Sequence, residues 1–192
     1  TSPLLDASFV TSHSLTLTGL LPGTHYYYRL ISVNSVGLQV MSGTFTFMTN
    51  GANAVVWTNL VHVTATGGSL QKTSGCDGCS DAGAVSQQQI LSGDGYMELT
   101  ATETTSDRWI GLSNTSADTG GAEILFALRF TQFGVEIRES NVYRTDVPYA
   151  PGDIFRIAVT GGTITYLKNG VVFFTSAATA TYPLLVDTSL WT

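Results

Sequence analysis

Hydrophobic and polar residues alternate with a period of two along most of the chain, and short turn-rich segments interrupt the alternation. Successive side chains of a β-strand point to opposite faces, so this period predicts half-buried strands rather than helices. The clearest case is TITYLKNGVVFFT at residues 163–175, where two strand-like runs flank Asn169-Gly170. Because Asn and Gly adopt positive φ at low cost, this pair predicts a type I′ hairpin turn.

The same pattern predicts about ten strands from Ala54 to the end of the chain. They are Val61–Ala65, Ala84–Ile90, Gly95–Thr102, Arg108–Leu112, Glu123–Phe130, Gly134–Ser140, Asp153–Thr160, Thr163–Lys168, Val171–Thr175 and Pro183–Val186. No window combines apolar residues at helical spacing with helix caps. The sequence therefore predicts an all-β fold, an antiparallel β-sandwich of jelly-roll type.

The first fifty residues carry a separate pattern, SLTLTGLLPGTHYYYRLISVNSVG followed by TFTFMT. It predicts strands at Ser14–Thr18, Tyr26–Val33 and Gly43–Thr49 and a turn at 20–24. The motif Leu-x-Pro-Gly-Thr-x-Tyr, with Tyr26 or Tyr28 at the tyrosine-corner position, resembles the second half of a fibronectin type III domain. A polar linker at 50–53 then divides the chain, and we predict one domain at 1–50 and a second at 51–192.

A partial fibronectin type III segment lacks the early strands of that family. Half a sandwich leaves an apolar face bare and a strand edge unpaired. The segment is therefore a remnant of a larger domain, packs on the second domain, or receives its missing strands from another chain by strand addition.

The second part of the chain also resembles a known family. The resemblance is carried by VVWTN, DAGAVSQQQI, GDGYMELTA, RWIGLS, YAPGDIFRIAV, ITYLKNGVVFFTS and YPLLVDTSL. Together these segments look like a concanavalin A-like lectin/glucanase sandwich, in the version that is related to SPRY domains and occurs in bacterial secreted and surface proteins. The resemblance implies a two-sheet fold, and it implies that glycan binding or protein binding is common among relatives.

Composition narrows the class of partner. Only 11% of the residues are charged and the formal net charge is −6, which argues against a nucleic-acid partner because phosphate binding needs a basic face. No stretch approaches the roughly 20 apolar residues of a membrane-spanning helix. The surface is rich in Ser, Thr, Gly and Asn, so we expect an extracellular or cell-surface protein that meets neutral, polar partners.

Cys76 and Cys79 form a lone C-x-x-C motif in GCDGCSDAG. A structural zinc site needs four ligands, and His13, His25 and His62 do not lie at zinc-finger spacing. A thioredoxin-type pair requires a βαβ setting, which this sequence lacks. The motif favours a small disulfide that pins a glycine-rich loop, with two free thiols as the alternative.

Catalytic motifs are missing from the sequence. Glycoside hydrolysis needs two carboxylates that face one cleft, but Glu136 and Glu139 are three residues apart and therefore fall on opposite faces of a strand. Alternation places Glu139 beside Val135 and Ile137, where an arginine such as Arg129 or Arg144 would have to pair with it. No Gly-x-Ser-x-Gly nucleophile elbow is present. We therefore expect no enzymatic activity.

No catalytic cofactor is predicted, but a structural calcium ion is compatible with the acidic residues. Calcium prefers oxygen ligands, and several aspartates lie near predicted strand ends. These are Asp118, Asp146, Asp153 and Asp187. The spacing of an EF-hand loop is not present, and Asp153 is explained equally well as the cap of a turn.

Glycan binding requires aromatic rings outside the core together with polar side chains. The candidates flank a predicted loop at NVYRTDVPYAPGD, begin a strand, or share one strand face. They are Tyr143, Arg144, Asp146, Tyr149, Trp109, Gln87 and Gln89. The sequence thus predicts a non-catalytic carbohydrate-binding module of a larger extracellular protein. The alternative is a structural subunit of an extracellular fibre or layer, assembled by strand complementation of the first segment.

Overall fold

A computed structural model of the chain describes residues 15–17, 20, 25–48 and 53–192. The chain divides into two compact units, 1–53 and 54–192. Residues 50–52 of the predicted linker at 50–53, and most of the predicted turn at 20–24, lie outside the described residues.

The described strands of the first unit are short. They are β1 at His25–Tyr28, β2 at Ile31–Val33, β3 at Gln39–Met41 and β4 at Phe45–Met48. Strand β1 pairs with β4 and strand β2 pairs with β3, both antiparallel. The predicted strand Tyr26–Val33 is therefore interrupted, because neither Arg29 nor Leu30 has strand structure. Of the predicted strand Ser14–Thr18, the central residues 15–17 are not in a strand and both end residues lie outside the described part.

The second unit is an all-β sandwich, which confirms the predicted fold class. Its strands are β5 Trp57–Val61, β6 Val63–Thr66, β7 Ser69–Lys72, β8 Gly83–Ile90, β9 Gly95–Thr100, β10 Arg108–Ser113, β11 Phe126–Thr131, β12 Gly134–Glu139, β13 Val142–Val147, β14 Ile154–Thr160, β15 Thr163–Lys168, β16 Val171–Thr179 and β17 Leu184–Leu190. A seven-stranded sheet has the order β13-β12-β11-β10-β17-β8-β5, and a four-stranded sheet has the order β16-β15-β14-β9. A 3₁₀ turn at Gly121–Glu123 follows β10.

The core lies between these two sheets. The seven-stranded sheet contributes Leu128, Phe130 and Ile137, and the four-stranded sheet contributes Phe155 and Tyr166. All five side chains are fully buried. The rings of Phe130 and Phe155 meet edge to face with centroids 5.3 Å apart, so the contact joins one sheet to the other.

The structure confirms the predicted hairpin and corrects one predicted loop. Asn169 and Gly170 have φ values of 51° and 80°, and they connect β15 to β16. The segment Val142–Val147 is strand β13 rather than a loop, and it follows a second turn in which Ser140 and Asn141 have φ values of 48° and 64°. Strand β13 is an edge strand of the seven-stranded sheet.

The cysteine loop is fastened to the last strand by a lysine. Cys76 and Cys79 are joined by a disulfide, as predicted. The Nζ of Lys72 carries three N–H donors and lies 2.7 and 3.2 Å from the backbone oxygens of the two cysteines, and 3.3 and 2.9 Å from those of Leu190 and Trp191. One ammonium group therefore connects four carbonyl groups from two distant parts of the sequence.

Candidate functional site

The outer face of the seven-stranded sheet gathers several of the predicted site residues. On this face, the cross-strand register places Asp146 opposite Glu136, Glu136 opposite Arg129, and Arg129 opposite Trp109. A second row, two residues along, places Tyr143 opposite Arg138. The intervening residues of these strands, such as Ile137, point into the core. Residues distant in sequence thus form one continuous outer surface because side chains alternate along each strand.

Two arginines hold this surface together. Arg129 donates to both carboxylate oxygens of Asp107, at 3.2 and 2.7 Å, and this hydrogen bonding raises the pKa of Arg129. Arg138 donates through Nε to Glu136 at 2.8 Å, and Arg129 reaches the same carboxylate at 3.5 Å. The paired charges fix the guanidinium planes, so each arginine presents its donors in a defined direction.

Tyr143 is the exposed aromatic ring of this surface. Its side chain is 48% exposed, and the guanidinium of Arg138 lies 5.8 Å from its ring centroid. Its hydroxyl donates a hydrogen bond to Asp146, and this bond raises the pKa of Tyr143. The ring is therefore held from both ends while a large part of it faces solvent. We call Glu136, Arg138, Tyr143 and Asp146 the Tyr143 cluster.

Trp109 lies beneath the arginines rather than at the surface. It is only 4% exposed, and the guanidinium groups of Arg129 and Arg138 lie 5.4 and 5.7 Å from its ring centroid. The backbone of Gly121 covers another part of the ring, since a Cβ atom at that position would stand 2.5 Å from it. Trp109 therefore supports the arginines and offers no stacking surface to a ligand.

Two other predicted residues lie away from the Tyr143 cluster. Arg144 points to the other side of its strand, where it pairs with Glu139 at 3.0 Å. This is one of the two partners that strand alternation offered for Glu139, whose Oε1 accepts from the hydroxyl of Tyr166 at 3.4 Å. Tyr149 packs edge to face on Phe130, with centroids 5.3 Å apart, and burial raises its pKa.

Gln87 and Gln89 are exposed on the outer face, but far from the Tyr143 cluster. They lie on β8, and five strand intervals separate β8 from β13. At about 4.8 Å per interval the separation is roughly 24 Å. Gln88 points the other way and bonds to the backbone of Ala54 and Val56, each at 2.9 Å. The structure thus brings Tyr143 and Asp146 together and leaves the glutamines as a separate polar patch.

The carboxylates that could take part in catalysis or bind calcium do not lie together but are distributed over the molecule. Glu136 and Glu139 lie on opposite faces of β12, as alternation requires. Asp153 accepts from Asn169 and pairs with Lys168, which lowers its pKa to about 2. Asp118 and Asp187 line one cleft. Over the described ranges, no group of three His, Cys, Asp or Glu side chains is placed to hold a metal ion.

Arg129, Arg138 and Glu136 were not among the site residues predicted from the sequence. The signal was present in VEIRE, because Glu136 and Arg138 are two residues apart and must share a strand face. The sequence does not show which strands lie next to β12, and therefore which outward-facing residues stand beside Glu136 and Arg138. The pairing of β12 with β11 and β13 supplies Arg129 and Tyr143.

Comparisons with known proteins address the fold. No family model and no curated protein matches the chain. Among solved structures, the TRIM65 PSpry domain matches with a TM-score of 0.53 at 12% identity, covering 72% of this chain and 92% of that one. An alginate lyase from Corynebacterium sp. matches with a TM-score of 0.37 at 16% identity, over 54% of this chain and 58% of that one. The first match shows that the fold of this chain is similar to that of the PSpry domain.

Among the described residues, no helix is both long enough and apolar enough to span a membrane.

Proposed function

We propose that the second unit is a non-catalytic carbohydrate-binding module of a larger extracellular protein, and that Tyr143 is its stacking platform. The observation that carries the proposal is the half-exposed ring of Tyr143, fixed by Asp146 at its hydroxyl and by Arg138 beside its face. An aromatic ring held in one orientation loses little conformational freedom when a ligand stacks on it. Rings of this kind combine apolar area with a polar tip.

The charges around Tyr143 favour a neutral, hydroxyl-rich ligand. The two guanidinium groups are paired with the carboxylates of Asp107 and Glu136, and Asp146 adds one further carboxylate at the hydroxyl of Tyr143, so positive and negative groups lie side by side on this surface. Arginine donors and carboxylate acceptors can hydrogen-bond to hydroxyl groups without leaving a net charge to be neutralised. An affinity that depends little on salt follows from this arrangement, since no counterion release accompanies binding.

Replacement of Tyr143 by alanine is expected to weaken glycan binding about fivefold. Loss of the ring removes stacking worth about 1 kcal/mol, which corresponds to that factor in affinity. The full chain would be screened on a glycan array, and the best glycan would be titrated by calorimetry against wild type and Tyr143→Ala. Because Tyr143 is exposed on an edge strand, we expect the melting temperature to change by only a few degrees.

Tyr96 supplies the matched control. It lies on the outer face of the four-stranded sheet, where the guanidinium of Arg156 stands 4.4 Å from its ring centroid. Its neighbour Met97 is buried in the core. Tyr96→Ala removes the same atoms beside an arginine and should leave glycan affinity unchanged. The proposal is contradicted if no glycan binds, or if Tyr96→Ala weakens binding and Tyr143→Ala does not.

As an alternative function, we propose that the first unit assembles copies of the chain into a fibre or layer by strand complementation. The supporting observation is a series of apolar side chains that are each more than half exposed. They are Leu30, Ile31, Val33, Val36, Leu38, Val40 and Met41. A two-stranded sheet such as β2–β3 is marginal by itself and leaves edges that pair readily with another strand.

Assembly by this route is expected to depend on protein concentration and on Val40. Light scattering over a concentration series should show growing polymers for wild type, and the edge charge of Val40→Lys should abolish them. Val171→Lys adds the same charge at a position that is 69% exposed in the second unit, and it should have no effect. A monomer at all concentrations excludes the alternative.

A further inference from the structure

We propose that a cleft beside Asp187 is a second binding site, which takes a small molecule through a primary ammonium group. The cleft has a volume of about 160 Å³ and lies on the outer face of the seven-stranded sheet. Strands β5, β8 and β17 form its floor, and the loop at 114–120 forms one wall. It is separate from the Tyr143 cluster, because four strand intervals lie between β13 and β17.

The carboxyl group of Asp187 is buried, and only one of its two oxygens accepts a well-formed hydrogen bond. The residue is 2% exposed, and its Oδ1 accepts from the backbone N–H of Thr188 at 2.8 Å. Its Oδ2 is buried and makes no hydrogen bond of ordinary geometry with the described residues, although the hydroxyl of Ser116 lies close enough to act on the Asp187 carboxyl in the direction that lowers its pKa. Leaving a carboxylate oxygen buried and unpaired costs free energy, so a donor placed in the adjoining cleft would bind favourably.

Two further carboxylates surround Asp187, and the described residues supply no positive charge to balance them. Glu123 accepts from the backbone N–H groups of Ala117 and Asp118, at 2.9 and 3.1 Å, and so holds the loop in place. Asp118 accepts from Gly120 through Oδ1 and lines the cleft. Across the described ranges, every lysine, arginine or histidine in an ion pair has a partner other than these three carboxylates. The local charge therefore selects a cation.

The walls of the cleft favour an organic cation with a short carbon body. Val61, Val85 and Ala117 contribute apolar surface, while Ser116 and Asp118 contribute oxygen atoms. An ammonium group carries three donors, which matches the carboxylates and the hydroxyl available here. A ligand much larger than this would not fit, because typical pockets for drug-sized molecules begin at about 300 Å³.

Binding of a cation at this site should depend on pH. Burial raises the pKa of Asp187 to about 7, and the negative charge of Glu123 acts in the same direction. Asp118 from the loop and Glu123 from the adjoining 3₁₀ turn are the titratable groups whose charges act on Asp187, since the cleft residues of β5 and β8 do not titrate. A cation binds the ionised carboxylate, so below this pKa the Asp187 carboxyl must lose its proton before the cation can bind. We expect the affinity for propylammonium to be about tenfold weaker at pH 6 than at pH 8.

The test is a titration of the full chain at pH 7 with two ammonium probes and two neutral counterparts, because the amine of glucosamine is largely deprotonated at pH 8. Propylammonium and glucosamine carry the group, whereas 1-propanol and glucose are similar in size and lack it. Binding of both ammonium probes, followed by calorimetry or by amide chemical shifts near Asp187, is the expected result. Binding of glucosamine alone would identify an amino sugar as the source of the group, and binding of propylammonium alone would identify an alkylamine.

Asp187→Asn should reduce the affinity of the ammonium probes at least tenfold, since it keeps the Oδ1 acceptor and removes the charge. Asp94→Asn is the matched control, because its Oδ1 accepts from Gly161 at 2.8 Å and the amide can do the same. If Asp187→Asn does not fold, Asp118→Asn at the edge of the cleft should still weaken binding several-fold. Equal binding of ammonium and neutral probes, or unchanged affinity in the variants, overturns the proposal. Tyr143→Ala should not alter this site, so failure here is distinct from failure of glycan binding.

Discussion

Gly111→Ala is expected to destabilise the second unit by about 3 kcal/mol or more, because this position has no room for a side chain. A Cβ atom on Gly111 would stand 2.0 Å from the backbone oxygen of Phe126 and 2.8 Å from the Cα of Ala127. Both atoms belong to β11, the strand paired with β10 at this point. Relief of the contact would require backbone movement in the middle of the seven-stranded sheet, since no flexible side chain can move away instead.

Thermal unfolding followed by circular dichroism measures this effect. A loss of 3 kcal/mol corresponds to a fall of roughly 10 °C in the melting temperature for a domain of this size. Gly68→Ala is the control, since its Cβ would meet only ordinary contacts, the nearest being the backbone nitrogen of Val55 at 3.4 Å. We expect that variant to melt within a few degrees of wild type. Equal melting temperatures for the two variants would show that β10 and β11 approach less closely than the structure indicates.

Lys72→Met is expected to cost about 3 kcal/mol, because four carbonyl oxygens would lose one charged donor at once. The side chain of Lys72 is 10% exposed and its Nζ also pairs with Asp81 at 3.0 Å, so water cannot easily replace the ammonium group. The backbone oxygens of Cys76 and Cys79 would separate from those of Leu190 and Trp191, to which Lys72 now joins them. The disulfide would remain, but the loop that carries it would no longer be fixed to β17.

Hydrogen exchange and thermal melting test this expectation together. Faster exchange should be confined first to the cysteine loop and to the end of β17. Lys168→Met is the matched control, since that lysine donates to one carbonyl oxygen, of Pro148, and its side chain is 24% exposed. We expect its cost to be below about 1 kcal/mol. Protection in the cysteine loop that is unchanged by Lys72→Met would contradict the role assigned to Lys72.

Much of the strand content could be predicted from the sequence because core strands alternate. Ile164 and Tyr166 are fully buried, and the residues between and beside them are not, so β15 was predicted with its observed bounds. The Asn169-Gly170 turn was predictable for a local reason, since both residues adopt positive φ. The same alternation predicted that Glu139 faces the core beside an arginine such as Arg129 or Arg144, and Arg144 is the partner observed.

Strand β13 was missed because it lies at an edge. Most of its side chains are exposed on both faces, so Val142–Val147 shows no alternation of hydrophobic and polar residues. Its preceding turn uses Ser140 and Asn141 rather than Asn-Gly, a weaker signal. The interpretation as a loop still placed Tyr143 and Asp146 in one cluster. In the strand they share the outer face although they are three residues apart, because the register with β12 shifts between Ile137 and Arg138.

The surroundings of Trp109 could not have been predicted from local pattern. The residue is the second of β10 and faces outward, as the alternation with Ile110 and Leu112 implies. It is nevertheless buried, because the chain returns at Gly121 and two arginines from neighbouring strands lie over the ring. Burial of this kind depends on contacts between segments far apart in sequence, and strand periodicity gives no information about such contacts.

The most direct test of glycan binding at the Tyr143 cluster is an amide chemical-shift map of the full chain, titrated with the glycan that binds most tightly. Our account predicts that the largest shifts fall on Arg138, Tyr143 and Asp146, with the four-stranded sheet unaffected. Shifts centred on Tyr96 and Arg156, or a spectrum that no glycan changes, would contradict it.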